Sequence, residues 1–190
     1  MNLISGLCRE YPEEVMQHRT SSRIVDVLSK QINDPNGKVA ANALKVFIGL
    51  VGRLPGLVET SLSMIINEVF ICFSSAKAEI RQLAEDLFDE ICGTVEKWML
   101  TQHICNGAIY SIQKSKSTIL SKLNRLVPAI CRVKPNIFQK NVYPMINKLA
   151  EENKPELTPA LKDLLETVYT EVGEDCMSFL KQKAKNLIFE

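Results

Sequence analysis

Glycine, histidine and aromatic residues are all scarce in this chain: 8 Gly, 2 His and 1 Trp among 190 residues, with Phe, Trp and Tyr together at 6%. The glycines stand singly, so no Gly-rich phosphate loop and no Gly-flanked nucleophile elbow can be assembled. His18 and His103 form no ligand pattern with the cysteines. Cys8, Cys72, Cys92, Cys105, Cys131 and Cys176 contain no Cys-x-x-Cys spacing, which removes the usual zinc and dithiol signatures. An excess of one charge is lacking too: 23 Lys and Arg face 22 Asp and Glu, for a net charge of +1. A broadly basic nucleic-acid binder or an acidic tail is not expected on that balance. Residues 1–12 lack the basic segment and apolar run of a signal peptide. The longest apolar stretch, Met64 to Phe73, is broken by Asn67 and Glu68 and is too short to span a bilayer. These absences lead to the expectation of a cytoplasmic chain with no catalytic site, cofactor or metal, and no membrane or nucleic-acid partner.

The remaining candidates for chemistry have plainer explanations. Most cysteines lie inside apolar runs, such as Phe70-Ile71-Cys72-Phe73 and Ala129-Ile130-Cys131. They read as free thiols serving as small hydrophobes in a reducing compartment. His103 reads as a boundary residue on a helix, and Trp98 as core. Glu13-Glu14, Glu151-Glu152 and the Asp86, Asp89, Glu90 group fall outside the apolar stripes and read as solvated surface.

What the sequence has in quantity is hydrophobic periodicity. Apolar residues make up 46% of it and recur at spacings of three and four. Ile24, Val27, Leu28 and Ile32 form one stripe after cap candidates Ser21-Ser22, ended by Asp34-Pro35-Asn36-Gly37. Val39, Ala43, Leu44, Phe47, Leu50 and Val51 form the next, up to Leu54-Pro55-Gly56. Further helices are expected over Leu57–Phe73, Lys77–Cys92 with Gly93 as its stop, Glu96–Ile112, a segment from Ser117, Ile137–Ala150, Leu157–Val172 and Cys176–Ile188. Pro128 and Pro144 should kink or end their helices.

Helix starts near Arg23, Lys38, Glu59, Lys77, Glu96, Ser117, Ile137 and Pro159 pair up with a recurrence of about 35 to 45 residues, the range of HEAT and armadillo arrays. A short helix pair cannot bury its own apolar faces, so pairs stack, and short connectors make neighbours antiparallel. The expected fold is an all-α, HEAT/armadillo-like α-solenoid of antiparallel helix pairs, with residues 1–190 as one monomeric domain. Asn2 to Tyr11 reads as the second helix of a pair whose first helix is missing, which marks the chain as a fragment of a larger protein. In such a stack the turns within the pairs share one edge. Lys38, Lys77, and Lys114 with Lys116 each stand at or near the start of a pair's second helix, where the macrodipole does not favour a cation. A partner that uses the positive charge would account for the repetition.

At these turns the chain resembles the TOG domain, the HEAT-repeat tubulin-binding module of the CLASP and crescerin type. Lys77-Ala78-Glu79-Ile80-Arg81, followed by Leu83-Ala84, is similar to the Lys-x-x-(Val/Ile)-Arg pattern of that family's third turn. Asp34-Pro35-Asn36-Gly37-Lys38-Val39, running into Ala43-Leu44, resembles its second turn, and Leu3 to Val15 the second helix of its first repeat. Departures are the absent first helix with its turn, Ser75 where the family commonly has Asp, and a fourth turn in which Lys116 stands in place of an Arg. The resemblance implies a non-catalytic module that docks αβ-tubulin or microtubules and regulates microtubule dynamics, in the cytoskeleton or a cilium. The residues it implies are Asn36, Lys38, Lys77, Arg81, Lys114 and Lys116. Arg81 has a second reading, folding back onto acceptors in its own turn. The alternative function is a generic HEAT/armadillo adaptor for a different protein.

Overall fold

The computed structural model describes residues 6, 10 and 18–189. Of the expected helix over Asn2 to Tyr11 only Gly6 and Glu10 are described, both helical, and Cys8 lies outside the described residues. Every element from residue 18 onward is helical, with no strand among the described residues. The chain groups into two compact units that divide between Glu96 and Lys97.

The described part of the first unit holds α1 (His18–Ile32), α2 (Gly37–Val51), α3 (Pro55–Cys72) and α4 (Ala78–Thr94). Local chemistry sets the breaks. The Asp34 carboxylate accepts from the Asn36 N–H at 2.7 Å, and the Asn36 side-chain oxygen accepts from the Lys38 N–H at 3.1 Å. The first bond turns the chain and the second caps α2. Pro55 occupies the first turn of α3, where its missing N–H costs nothing. Packing runs both between neighbours and between alternate helices: α1 meets α2 and α3, and α4 meets α2 and α3. Ala40, Ala43 and Ala84 are buried and keep the α2 and α4 faces shallow. Phe70, Phe73 and Phe88 form an aromatic cluster with centroids 5.7 to 6.2 Å apart.

The second unit holds α5 (Lys97–Tyr110), α6 (Gln113–Val133), α7 (Pro135–Glu152), α8 (Thr158–Val172), a 3-10 turn (Gly173–Ser178) and α9 (Gln182–Phe189). The alternation recurs, α5 packing on α7 and α6 on α8. Because α5 meets both α6 and α7, it buries more than one face: Leu100, Thr101, Ile104, Cys105 and Ala108 are all inaccessible. Tyr143 anchors the far end, edge-on to Phe138 at 5.4 Å and stacked on Phe179 at 4.8 Å.

Several sequence expectations are corrected. Of the two outcomes expected at Pro128 and Pro144, a kink or an end, the end does not occur: α6 and α7 run through them, sustained by buried neighbours Val127, Ile130, Tyr143 and Met145. Gly93 does not stop α4, which continues to Thr94. The chain reverses instead at Asn153 (φ 48°) and Gly173 (φ 73°), the two described residues in left-handed backbone. Ser21 and Ser22 lie inside α1, past its start at His18. The final helix does not begin at Cys176, because the tight turn over Gly173–Ser178 buries that thiol and α9 starts only at Gln182. Trp98 is half-buried, with the Lys134 ammonium 5.6 Å from its ring.

The Tyr143 hydroxyl is buried without a hydrogen-bond partner among the described residues. Burial, helped by Cys176, Cys131 and Asp175, pushes its pKa up to about 12. Tyr143→Phe keeps both ring contacts and deletes the unpaired hydroxyl, so urea unfolding should show a gain of about 1 kcal/mol. The folded chain holds this proton above pH 10, where the unfolded chain releases it. Stability should therefore fall as pH rises from 10 toward 12, and fall less steeply in the Phe variant.

Candidate docking edge

In the first unit the α1–α2 and α3–α4 turns abut. The α1–α2 turn spans Asn33 to Asn36 and the α3–α4 turn Phe73 to Lys77. Three contacts join their ends. The Asn33 amide donates to Glu68. The Cys72 thiol lies 3.5 Å from the Ile32 carbonyl and 3.4 Å from the Asn33 side-chain oxygen. The Lys77 side chain rests against Gly37, so closely that a Cβ there would overlap its ammonium end. Glycine at this position is what lets the lysine cross from one turn to the other. Behind the rim a cleft of about 280 Å³ is walled by Asp34, Pro35, Ser74, Ser75 and Ala76. Lys45 and Glu79 bridge α2 and α4 at 3.0 Å, both exposed.

Four of the six residues singled out from sequence meet at this edge. Lys38 is exposed in the first turn of α2. Lys77 is exposed with extended backbone at the start of α4. Asn36 is exposed, and its oxygen is engaged in capping α2. Arg81 is half-buried and folds back: one guanidinium nitrogen donates to the Ser75 carbonyl at 2.7 Å and to the Ala76 carbonyl at 3.2 Å. Of its two sequence readings, the turn-bracing one matches this geometry. Cys72 stands in the cleft wall, and burial, with Glu68 second, pushes its pKa up to about 12, which disfavours the thiolate.

The other two candidates belong to the second unit and have opposite fates. Lys114 is exposed. Lys116 is only 6% exposed and pairs with Glu152 at 3.2 Å, so its ammonium neutralises an acid of its own unit. The expectation of Lys116 as an outward cation is corrected on that ground. The pairing joins the start of α6 to the end of α7 and brings the α5–α6 turn beside the α7–α8 turn, as in the first unit. Sequence reasoning missed Tyr110 and Ile112 at that turn, 75% and 57% exposed, and Lys148, whose ammonium sits 4.6 Å from the Tyr110 ring. A signal for Tyr110 was available, since His103, Asn106 and Tyr110 follow one another at spacings of three and four, off the stripe that buries Leu100, Ile104 and Ala108. His103 is half-buried, and burial lowers its pKa below the usual histidine value. Among the described residues no three His, Cys, Asp or Glu side chains converge as metal ligands do, and no helix is long and apolar enough to cross a membrane.

The geometry separates bracing from exposed residues by stability alone. Arg81→Ala deletes two charge-assisted bonds to turn carbonyls and should cost about 1.5–3 kcal/mol in urea unfolding. Lys116→Ala strands Glu152 and should cost about 1–3 kcal/mol, whereas Lys38→Ala and Lys114→Ala should stay within about 0.5 kcal/mol of the parent. No protein-family model matches the chain, and the search of curated proteins finds no matching relative.

Proposed function

We propose that this chain is a TOG-like module: a HEAT/armadillo-like α-solenoid of antiparallel helix pairs that docks αβ-tubulin along its within-pair turns and regulates microtubule dynamics without catalysis. The observation that carries the reading is the abutment of two such turns in the first unit, with Lys77 laid across Gly37 and Lys38 exposed beside it. Alternate-helix packing in each unit supports the repeat architecture, since it is how stacked helix pairs bury their second apolar faces. The braced α3–α4 turn supports docking in a second way. Arg81 spans Ser75 and Ala76 from α4, so the segment carrying Lys77 is ordered before any partner arrives, and less ordering entropy is lost on association. The binding set on this reading is Lys38, Lys77 and Lys114, with Asn36 and Arg81 shaping the turns that carry the lysines. A microtubule-associated, cytoskeletal location follows from the same reading. Exposed Tyr110 favours a second reading, an adaptor for a different protein, because exposed aromatic surface is characteristic of interface anchors.

Co-sedimentation with microtubules and gel filtration with free αβ-tubulin test the proposal. The full chain should bind, and binding should weaken as salt rises from about 0.05 to about 0.3 M, as for any contact between exposed charges. Lys77→Glu should weaken binding roughly tenfold and Lys77→Ala only about two- to threefold, since reversal adds repulsion where truncation removes attraction. Gly37→Ala should displace the Lys77 ammonium and weaken binding less than Lys77→Ala does, with no further loss when the two are combined. Equal binding by Lys77→Glu and the parent would remove this edge from the interface.

A further inference from the structure

A distinct surface stands out in the second unit. Tyr110 ends α5 and Ile112 precedes α6, at 75% and 57% exposure. Single exposed apolar side chains are common on protein surfaces, but two within three residues of one turn, one of them aromatic, are a concentrated apolar feature. The tyrosine is positioned: the Lys148 ammonium from α7 lies 4.6 Å from its ring centroid, within cation–π range. A ring fixed in this way loses little side-chain entropy on being covered, as is typical of rigid aromatic anchors at interfaces.

The charges nearest the patch are lysines. The last turn of α7 carries Glu151 and Glu152, and each already has its own cation. Glu152 pairs with Lys116, and Glu151 with Lys181 at 2.7 Å, a bond that holds the Glu151 carboxyl below the usual carboxylate range. Lys114, Lys148 and Lys154 are exposed and have no carboxylate partner among the described residues. Glu151 and Glu152 are thus each held by a lysine, while exposed Glu156 in the α7–α8 turn sits two residues from Lys154; Lys114, two residues past Ile112, and Lys148, over the Tyr110 ring, are the cations left next to the apolar pair. Apolar side chains between unpaired cations complement a segment in which acids flank an apolar residue. A nucleic acid fits less well. Single-stranded binding uses successive stacking platforms, and here there is one ring with one face already under an ammonium.

The geometry points to the Tyr110–Ile112 turn, with Lys114 and Lys148, as a docking site for an acidic protein segment bearing a large apolar side chain. The inference rests on the reading of the chain as a protein-docking module, but not on tubulin being the partner. The apolar side chain covers the free face of Tyr110 and Ile112, while flanking Asp or Glu residues meet Lys114 and Lys148.

The test is an amide-shift titration of the full chain with a synthetic acidic peptide of Glu residues around a central Leu-Phe pair. A charge-reversed peptide with Lys for Glu and a short oligothymidylate serve as controls. Saturable shifts centred on Tyr110, Ile112 and Lys148 are expected with the acidic peptide alone. Tyr110→Ser and Lys148→Glu should each weaken it at least about fivefold with unchanged melting, and Lys77→Glu should not weaken it. Shifts centred elsewhere, undiminished binding by Tyr110→Ser, or stronger binding of the oligothymidylate would each overturn the inference. Running αβ-tubulin in parallel separates the two proposals. Peptide shifts at Tyr110 with no tubulin binding leave this site standing and remove tubulin as the partner. Tubulin binding with Tyr110 unmoved by the peptide does the reverse.

Discussion

Each helix in the two units has to cover more apolar surface than one partner can supply, and the packing of alternate helices follows from that need. Phe47 and Leu50 of α2, and Leu87 and Phe88 of α4, are all but completely buried, and α2 packs on α4 as well as on its chain neighbours. At roughly 1.5–3 kcal/mol for each fully buried large side chain, such contacts outweigh anything the exposed turns contribute. The turns are carried along: once α1 lies on α3 and α2 on α4, the loops that end them are brought side by side. The edge is therefore a by-product of core packing, and the few polar contacts across it, such as Cys72 to Ile32, refine a placement that burial has already decided.

Lysines near helix starts show how the same sequence feature leads to different ends. Lys38, Lys77 and Lys114 remain in water, where an isolated ammonium loses little. Lys116 is two residues from Lys114 yet is withdrawn from solvent and tied to Glu152. A buried ammonium without a carboxylate would be strongly destabilising, so the pair fixes the start of α6 against the end of α7 and sets aside both charges. What is left for a partner is the remainder after such internal neutralisation. A net charge of +1 over the whole chain conceals that remainder, because it averages paired and unpaired groups alike.

The helical character of the described chain could be read from periodicity, because spacings of three and four follow directly from which faces are buried. Termini were harder. Pro128 and Pro144 point to a kink or an end because a proline removes one donor, and the end is avoided because tertiary burial of Val127, Ile130, Tyr143 and Met145 outweighs one missing hydrogen bond. Gly93 looked like a stop because glycine permits left-handed backbone, a permission that Asn153 and Gly173 use and Gly93 does not. The burial of Lys116 was legible and passed over: it precedes Ile119 and Leu120 by three and four residues and so lies on the buried stripe of α6. The contact of Lys77 with Gly37 was not legible. It joins residues 40 positions apart in the sequence, and no local pattern encodes that register.

Bracing and binding are often set against each other as explanations for a residue such as Arg81, yet here one supports the other. An exposed lysine on a loose loop samples many positions, and fixing it on association costs rotamer and backbone freedom. Arg81 reduces the backbone part of that cost by holding the Ser75 and Ala76 carbonyls from within α4. Gly37 reduces the side-chain part by offering Lys77 a surface to lie on. In the second unit Lys148 does the same for Tyr110, fixing the ring before anything covers it. On the proposed reading both surfaces present groups placed by neighbouring side chains, and the residues that place them need not touch a partner at all.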